Sequence, residues 1–257
     1  MLPLENIAVA AARAAGNFIM RNLERADQLP VSRKGRNDFV SEVDHGAEAE
    51  IVHVIHKAYP DHAILAEEGG ATGKHDVTWI IDPLDGTTNF LHRFPHFAVS
   101  IGIQIKGKLE HGVIYAPCTQ DLYVAGRGRG AVLNSRKIRV SKISTLEDSL
   151  VGTGVPSRAG ANLDLYMSQL RTIVEKTSGV RRAGAASLDL AYVACGRLDA
   201  FWENNLKPWD LAAGILMVEE AGGIVSELYG KGEVLETGNV LAGNPKLHDL
   251  AAPLLRN

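Results

Sequence analysis

The sequence predicts an α/β protein in which layers of helices and sheets alternate. Three observations support this: helical spacing of apolar residues near the N terminus, a strand-rich middle third, and alternating helix and strand patterns after about residue 140. With 257 residues, 46% of them hydrophobic and 22% charged, the chain is long enough to bury a sizeable core. We expect a single unit, residues 1–257, with an N-terminal α+β half (1–140) and a C-terminal α/β half (141–257).

The N-terminal half is expected to begin with two helices and to continue into strands. Apolar residues recur at helical spacing from 4 to about 23, and a second helix is predicted from near Asp44 to before Pro60. Residues 33–37 are predicted to form a basic loop between them. Apolar runs and alternation then predict strands, in part an antiparallel meander, at 63–66, 77–81, 97–105, 109–115, 122–125 and 130–134.

The C-terminal half shows short apolar strand patterns between longer helical ones. Strands are expected at 150–153, 200–203 and 223–225, and helices near 162–176, 186–196, 209–221 and 245–255. No internal repeat or low-complexity tract interrupts this alternation.

Composition excludes several functional classes. The formal net charge of −3 gives no general attraction to nucleic acid or to an anionic membrane, so we expect neither as a direct partner. No apolar run approaches the roughly 18 residues of a membrane span, and Glu5 stands where a secretory signal would be basic. Cys118 and Cys195 lie far apart, which disfavours a disulfide framework. The cytoplasm is the expected compartment.

The strongest chemical signal is the string at 79–90, in which an apolar strand is predicted to end at residue 81 and to deliver two aspartates into a turn. Asp82 and Asp85 are separated by a proline, which stiffens the backbone, and by Leu84, whose carbonyl can turn inward. Hard divalent cations take oxygen ligands. The pair is therefore a candidate to bind one metal ion or to bridge two.

The residues that follow this pair suit a phosphate. Gly86 lets the backbone approach an anion, and Thr87 and Thr88 offer amides and hydroxyls at the start of a helix or turn. For an isolated Asp-Gly-Thr tripeptide, an Asx-type turn with capping threonines is an equally good interpretation. The whole string at 79–90 is a more specific indication of a metal and phosphate site than the tripeptide alone.

Two other acidic segments lie at the ends of predicted elements. Glu67 and Glu68 end a strand, although adjacent glutamates are commonly a solvated turn. Asp210 lies at the start of a helix, where an aspartate is usually a cap. Taken together with the aspartate pair, these segments are explained jointly by a two-metal site.

At these segments the sequence closely resembles the inositol monophosphatase family, a group of lithium-sensitive, metal-dependent phosphatases. The resemblance covers nearly the whole chain and is carried by residues 38–44, 66–68, 79–90, 112–117 and 208–223. It implies a sugar-phosphatase-like sandwich of helix and sheet layers, hydrolysis of inositol monophosphate, Mg2+ as cofactor, inhibition by Li+, and a homodimer.

The resemblance also implies a metal-ligand set. Glu67, Asp82 and the Leu84 carbonyl would hold one Mg2+, while Asp82, Asp85 and Asp210 would hold a second. Two cations in this arrangement can position and neutralise a phosphoryl group for in-line attack by water.

By the same resemblance, three residues take catalytic roles. The ion beside Glu67 activates the attacking water, which Thr87 orients with help from Asp44, itself near a third and weaker metal site. The substrate-binding residues implied are Asp85, Gly86, Thr87, Gly184, Ala185, Ala186, Glu203 and Asp210. Ala185 stands where many relatives have Thr, so the preference for a polyol is less fixed than metal binding. Arg181 and Arg182 are expected either to shape a subunit contact or to be an exposed pair.

Other functions stay open at this point. A haloacid dehalogenase-type phosphatase also ends a strand in two aspartates, but there they are two residues apart rather than three. Fructose-1,6-bisphosphatase or nucleotide 3′-phosphatase activity is an alternative that residues around Glu203 and Arg158 should decide. A regulatory role through contact with RNA polymerase is a further alternative, with protein-mediated contact expected because the sequence has no basic stripe.

Overall fold

The computed structural model describes residues 1–25, 31–35, 38–156 and 162–256. Within these ranges the helices are α1 (Pro3–Leu23), α2 (Glu42–Ala58), α3 (Thr87–Leu91), α4 (Leu163–Val174), α5 (Ala186–Ala194), α6 (Pro208–Glu220), α7 (Val234–Thr237) and α8 (Pro245–Leu255).

The strands form a hairpin and two sheets. The hairpin pairs β1 (Val31–Gly35) with β2 (Asp38–Ser41). The large sheet contains β3 (Ala63–Ala66), β4 (Gly70–Thr72), β5 (Val77–Asp85), β6 (Ala98–Ile105), β7 (Lys108–Ala116), β8 (Asp121–Gly126), β9 (Gly130–Leu133) and β10 (Arg136–Lys137), in the order β10-β9-β8-β7-β6-β5-β3-β4. The small sheet contains β11 (Leu150–Thr153), β12 (Gly179–Arg181), β13 (Ala200–Glu203), β14 (Ile224–Glu227) and β15 (Val240–Gly243), in the order β12-β11-β13-β15-β14.

The helices and sheets stack in alternating layers, which confirms the predicted fold class. Helices α1 and α2 cover one face of the large sheet, and α5 and α6 lie between the two sheets. Helices α4 and α8 cover the outer face of the small sheet. The buried apolar residues accordingly form three clusters, of which the largest surrounds α5 and α6.

The two aspartates of the 79–90 string lie in a strand, whereas the sequence predicted a turn after residue 81. Strand β5 continues to Asp85, with an irregularity in its pairing to β6 between Asp82 and Asp85. Pro83 explains the irregularity, because its nitrogen has no hydrogen to donate to the ladder. The strand is therefore extended and bulged at the point where it carries both carboxylates.

Helix α6 packs unusually close to the large sheet. A Cβ atom on Gly102 would lie 2.6 Å from the Ala212 Cβ, and one on Gly112 would lie 2.8 Å from the Ala213 carbonyl oxygen. These glycines let the helix backbone approach β6 and β7 directly. The first turn of α6, which carries Asp210, is thereby fixed relative to the end of β5.

Several elements differ from the sequence prediction. Residues 33–35 belong to strand β1 instead of a loop, while 36–37 of the predicted basic loop lie outside the described residues. Strands β2, β4, β10, β12 and β15 and helix α7 were not predicted. The large sheet is built from residues 63–137 and the small sheet from 150–243, while a division of the chain near residue 141 stays a prediction.

Within the described part of the chain, no helix combines the length and apolar character needed to cross a bilayer. Cys118 and Cys195 are both free thiols, as the sequence predicted.

Candidate active site

A pocket of about 350 Å3 brings the predicted acidic residues together. Strands β3, β5 and β13, helix α3, the start of α6 and the segment before α5 contribute to its wall. Of the predicted site residues, those that line it are Glu67, Asp82, Leu84, Asp85, Gly86, Thr87, Gly184, Ala185, Ala186, Glu203 and Asp210. Asp44 does not line the pocket but contacts Thr87, which does.

Strand register explains why Glu67 meets the aspartates. Strands β3 and β5 are parallel, and Ala66 is aligned with Ile81. The next residues, Glu67 and Asp82, therefore emerge at the same edge of the sheet. The backbone continues the alignment, because the Glu67 amide donates to the Ile81 carbonyl over 3.1 Å.

Backbone and hydroxyl donors fix the two aspartates of β5. The Leu84 amide donates to Asp82 Oδ1 over 3.0 Å. Asp85 Oδ2 accepts from both the amide and the hydroxyl of Ser187, over 2.8 and 2.5 Å. This second contact joins β5 to the first turn of α5, so the buried Asp85 carboxylate ties two distant parts of the chain together.

Asp210 serves its helix and the pocket at once. It is the third residue of α6, and its Oδ2 accepts from the Lys207 amide over 2.7 Å. This is the helix-capping contact that the sequence offered as an alternative. Since Asp210 also lines the pocket, capping and a role in the site are compatible.

Asp82, Asp85 and Asp210 are buried and Glu67 is half-buried, and the four carboxylates are close enough to disfavour one another's ionisation. Burial, followed by the charges of Glu67, Asp85 and Asp210, raises the pKa of Asp82 well above its usual value. Burial and the charge of Asp210 raise the pKa of Asp85 to about 7, although the Ser187 hydrogen bonds act in the opposite direction. Such a cluster of carboxylates favours a cation that enters it.

The donor set fits a hard divalent cation. Carboxylate oxygens from Glu67, Asp82, Asp85 and Asp210 line one pocket, and hard cations prefer oxygen ligands. Among the described residues, however, no three His, Cys, Asp or Glu side chains already stand in a metal-binding arrangement. Three of the carboxylates each direct one oxygen to a backbone amide instead. The charge and the donor atoms therefore suit a cation, but the described carboxylates are not yet arranged around a common coordination centre.

The Thr87 hydroxyl is held at the edge of this acidic cluster. Its single hydrogen is donated to Asp44 Oδ1 over 2.8 Å, with a longer, shared contact of 3.2 Å to the Leu84 carbonyl oxygen. Asp44 is itself buried in the first turn of α2. With its hydrogen committed in this way, Thr87 Oγ1 is free to accept a hydrogen bond from a water molecule.

Gly86 allows the chain to enter helix α3 beside the pocket. It has φ of 96°, and an added Cβ would lie 3.0 Å from the His96 carbonyl oxygen. Any other residue would be strained in this left-handed conformation and crowded. Gly86 precedes the first helical residue, so the amides that follow it are without partners inside the helix.

Glu203 and the segment before α5 line the same pocket. The carboxylate of Glu203 lies over Gly154, where any side chain would overlap it. Gly184 has φ of 89°, and Ala185 precedes the first residue of α5. The predicted substrate contacts therefore lie in the same pocket as the carboxylate cluster.

Sequence reasoning missed some residues of this region. Ser187 was not predicted as a partner of Asp85, and only its position next to Ala186 pointed to it. Arg182 lines the pocket, although the sequence suggested a subunit contact or an exposed pair. Of the two adjacent glutamates, Glu67 lines the pocket, whereas Glu68 Oε2 lies 3.9 Å from His45 Nδ1. Arg158, which was expected to help decide the substrate, lies outside the described residues.

Comparison with known proteins identifies close relatives. The model of the inositol monophosphatase family matches residues 1–257. "Nus factor SuhB" of Pseudomonas aeruginosa is 55% identical over 252 residues, which cover 96% of this chain and 93% of that protein. The crystal structure of extragenic suppressor protein SuhB from Bartonella henselae has a TM-score of 0.96 and 44% identity, with 100% and 99% coverage. Inositol monophosphatase from Anabaena has a TM-score of 0.84 and 38% identity, with 98% and 94% coverage.

The raised pKa of Asp85 leads to a prediction about stability in the absence of divalent cations. Because its folded pKa of about 7 exceeds the ordinary 3.8, the folded protein holds this proton more tightly than the unfolded chain. Its contribution to stability therefore falls as pH rises from about 4 to 7. Asp85→Asn removes this loss, and we expect it to raise the melting temperature in EDTA more at pH 8 than at pH 5.

Thermal unfolding of both proteins at the two pH values measures the effect. Asp164→Asn is the matched control, because Asp164 is exposed in the first turn of α4 and should show no such difference. Equal shifts for Asp85→Asn at pH 5 and pH 8 would contradict the electrostatic account of the cluster.

Proposed function

The chain belongs to the inositol monophosphatase family, and from this premise we propose that it is a Mg2+-dependent phosphatase that hydrolyses inositol monophosphate to inositol and phosphate. The supporting observation is the single pocket that joins four carboxylates, an amide-rich helix start and Glu203. Members of this family are metal-dependent phosphatases. Beyond this family property, we propose inositol monophosphate as the substrate and Mg2+ as the ion.

The proposed ligands divide into two overlapping sets. Glu67, Asp82 and the Leu84 carbonyl would hold one Mg2+, and Asp82, Asp85 and Asp210 would hold a second, with Asp44 near a weaker third position. Bound Mg2+ would neutralise the carboxylates, offset negative charge on the phosphoryl group, and acidify a water molecule. Li+ is expected to inhibit by competing at these positions.

The chain's own groups position the water and the phosphate. Thr87 donates its hydroxyl hydrogen to Asp44 Oδ1 and accepts a hydrogen bond from the attacking water, which directs that water towards the phosphorus. The amides of Gly86 and Thr87 receive the phosphate oxygens at the start of α3. Phosphoryl transfer depends chiefly on such positioning and charge neutralisation, so no protein nucleophile is required.

Glu203 and the segment before α5 are proposed to select the alcohol part of the substrate. The Glu203 carboxylate accepts hydrogen bonds from hydroxyl groups of a polyol, and the backbone of Gly184, Ala185 and Ala186 contacts the same part of the substrate. Ala185 supplies no hydroxyl, so recognition there depends on the main chain. Arg182 favours a second candidate, a sugar bisphosphate or nucleotide, because its guanidinium can bind another anionic group in the same pocket.

The experiment is a phosphate-release assay with Mg2+ on inositol 1-phosphate, glycerol 2-phosphate, fructose 1,6-bisphosphate and adenosine 3′,5′-bisphosphate. We expect the highest kcat/KM on inositol 1-phosphate. A preference for either bisphosphate would favour the second candidate, and no release from any of the four would contradict the proposed activity.

Asp210→Asn tests the ligand assignment in the same assay. The substitution keeps side-chain volume but removes a charge from the cation site, so phosphate release should fall by a factor of roughly 100 or more. Asp164→Asn makes the same change in the first turn of another helix and should leave the rate unchanged. Near-full turnover of Asp210→Asn at saturating Mg2+ would show that Asp210 is not a ligand.

A homodimer is proposed from an apolar surface on α4. Leu163, Met167 and Val174 are 52%, 52% and 54% exposed, and their spacing places them on one side of the helix. Strand β12, which contacts α4, is an edge strand of the small sheet. We propose that a second copy of the chain covers this side of the molecule.

Sedimentation velocity of Met167→Lys tests the dimer. A charged side chain in a desolvated interface should shift the population towards monomer. Ile224→Lys is the control, since Ile224 is an exposed apolar residue in β14 at the opposite edge of the same sheet. A dimer of unchanged affinity in Met167→Lys would exclude this surface.

A regulatory role is proposed as a second function because relatives with about half of their residues identical bear the name "Nus factor SuhB". We propose that the protein contacts RNA polymerase in the cytoplasm through protein surfaces, independently of catalysis. Asp82→Asn alters only a buried residue of the pocket, so it should retain RNA polymerase in a pull-down as well as the wild type does. Absence of RNA polymerase from the wild-type pull-down would contradict this role.

A further inference from the structure

The side chain of Asn89 connects helix α3 to the segment before α5. Its Nδ2 donates to the carbonyl oxygens of His96 over 2.7 Å, Ala183 over 2.9 Å and Gly184 over 3.4 Å. Nδ2 has two hydrogens, so two good hydrogen bonds and one longer, shared contact account for all three. One amide thus joins parts of the chain that are more than ninety residues apart.

Both segments that this side chain joins contribute to the proposed substrate pocket, which Thr87, Thr88 and Gly184 line. Asn89 lies two residues after Thr87 in α3, a helix of only five residues. On its inner side α3 is anchored by the buried ring of Phe90, which packs edge-on against Phe97. Asn89 holds the other side of the helix to Ala183 and Gly184, next to the backbone proposed to contact the alcohol.

The local geometry leaves little freedom at this contact. A Cβ on Gly184 would lie 3.3 Å from Asn89 Nδ2 and 2.9 Å from an Arg182 guanidinium nitrogen. Gly184 also requires its left-handed φ of 89°. The close approach of the two segments therefore depends on a glycine on one side and on a short amide side chain on the other.

The Asp85 carboxylate also joins β5 to this segment, through hydrogen bonds from Ser187 and from the Ala186 amide. That contact uses a carboxylate proposed as a metal ligand, whereas the Asn89 contact uses an uncharged amide that is not. The Asn89 contact can therefore hold the segments together whatever charge the carboxylate cluster carries.

We propose that Asn89 is a positioning residue that sets the distance between the phosphate-binding amides of Gly86 and Thr87 and the backbone at Gly184 that contacts the alcohol. The inference rests on the proposed function, because it assigns the two ends of one substrate to the two segments. A substrate that spans both segments needs that distance fixed, whereas an ester held by its phosphate alone does not.

Asn89→Ala separates these cases when assayed with two substrates. For inositol 1-phosphate, which spans both segments, kcat/KM should fall by about 10- to 100-fold, mainly through KM. For p-nitrophenyl phosphate, which carries no hydroxyl on its leaving group and has an activated bond, the change should stay within about threefold.

Asn244→Ala is the matched control. Asn244 Nδ2 also bridges distant segments, donating to Ser141 Oγ over 3.0 Å and to the Ile143 carbonyl over 2.9 Å, and its Oδ1 caps α8. Its loss should lower the melting temperature without changing the ratio of kcat/KM for the two substrates. Two results would show that Asn89 only stabilises the fold. One is an equal loss of kcat/KM on both substrates in Asn89→Ala. The other is the same change in the ratio of the two kcat/KM values in Asn244→Ala.

Hydrogen exchange gives a readout that does not depend on activity. In Asn89→Ala, amides of residues 183–187 should exchange about tenfold faster, because the segment opens locally more often, while Asn244→Ala leaves them unchanged. Unchanged exchange in Asn89→Ala would overturn the inference even in a protein that releases no phosphate. Faster exchange in such a protein would support the positioning role while the proposed function itself failed.

Discussion

The mutual repulsion of buried carboxylates is the constraint on which the site depends. Glu67, Asp82, Asp85 and Asp210 come from three separate segments and line one pocket. Burial and neighbouring charge raise the pKa of Asp82 and Asp85, so the fold holds these groups against an electrostatic cost. The hydrogen bonds from Ser187 offset this electrostatic cost only in part. A bound cation would offset the rest, which is why such a cluster indicates a functional site.

Rigid packing is what keeps the carboxylates at their positions. Parallel pairing of β3 with β5 brings Glu67 beside Asp82, and the close approach of α6 to the large sheet fixes Asp210. Asp85 and Asn89 then connect this acidic edge to the segment that leads into α5. The amides proposed to bind phosphate and the backbone proposed to contact the alcohol thereby belong to one packed framework.

The sequence predicted those features that depend on local pattern. Apolar runs and period-two alternation located most strands of the large sheet, and the acidic residues at element ends identified the members of the cluster. The strand at Asp82–Asp85 was assigned as a turn because Asp and Pro disfavour strands, and the bulge that accommodates Pro83 follows from pairing with β6. Ser187, Asn89 and the position of Arg182 were missed because their contacts join segments about a hundred residues apart, which no local pattern encodes. Short elements such as β12 and α7 are too brief for periodicity to detect.

The central claim is that these carboxylates together form a cluster that binds Mg2+, and proton release on Mg2+ binding tests it most directly. Because the pKa of Asp85 is about 7, part of the metal-free protein carries a proton there at neutral pH, and a cation must displace it. Titration calorimetry in two buffers of different ionisation enthalpy counts the protons released. The account predicts release of roughly half a proton or more per chain at pH 7 and less at pH 9, where Asp85 is already ionised. Mg2+ binding at pH 7 without proton release, or no Mg2+ binding at all, would contradict it.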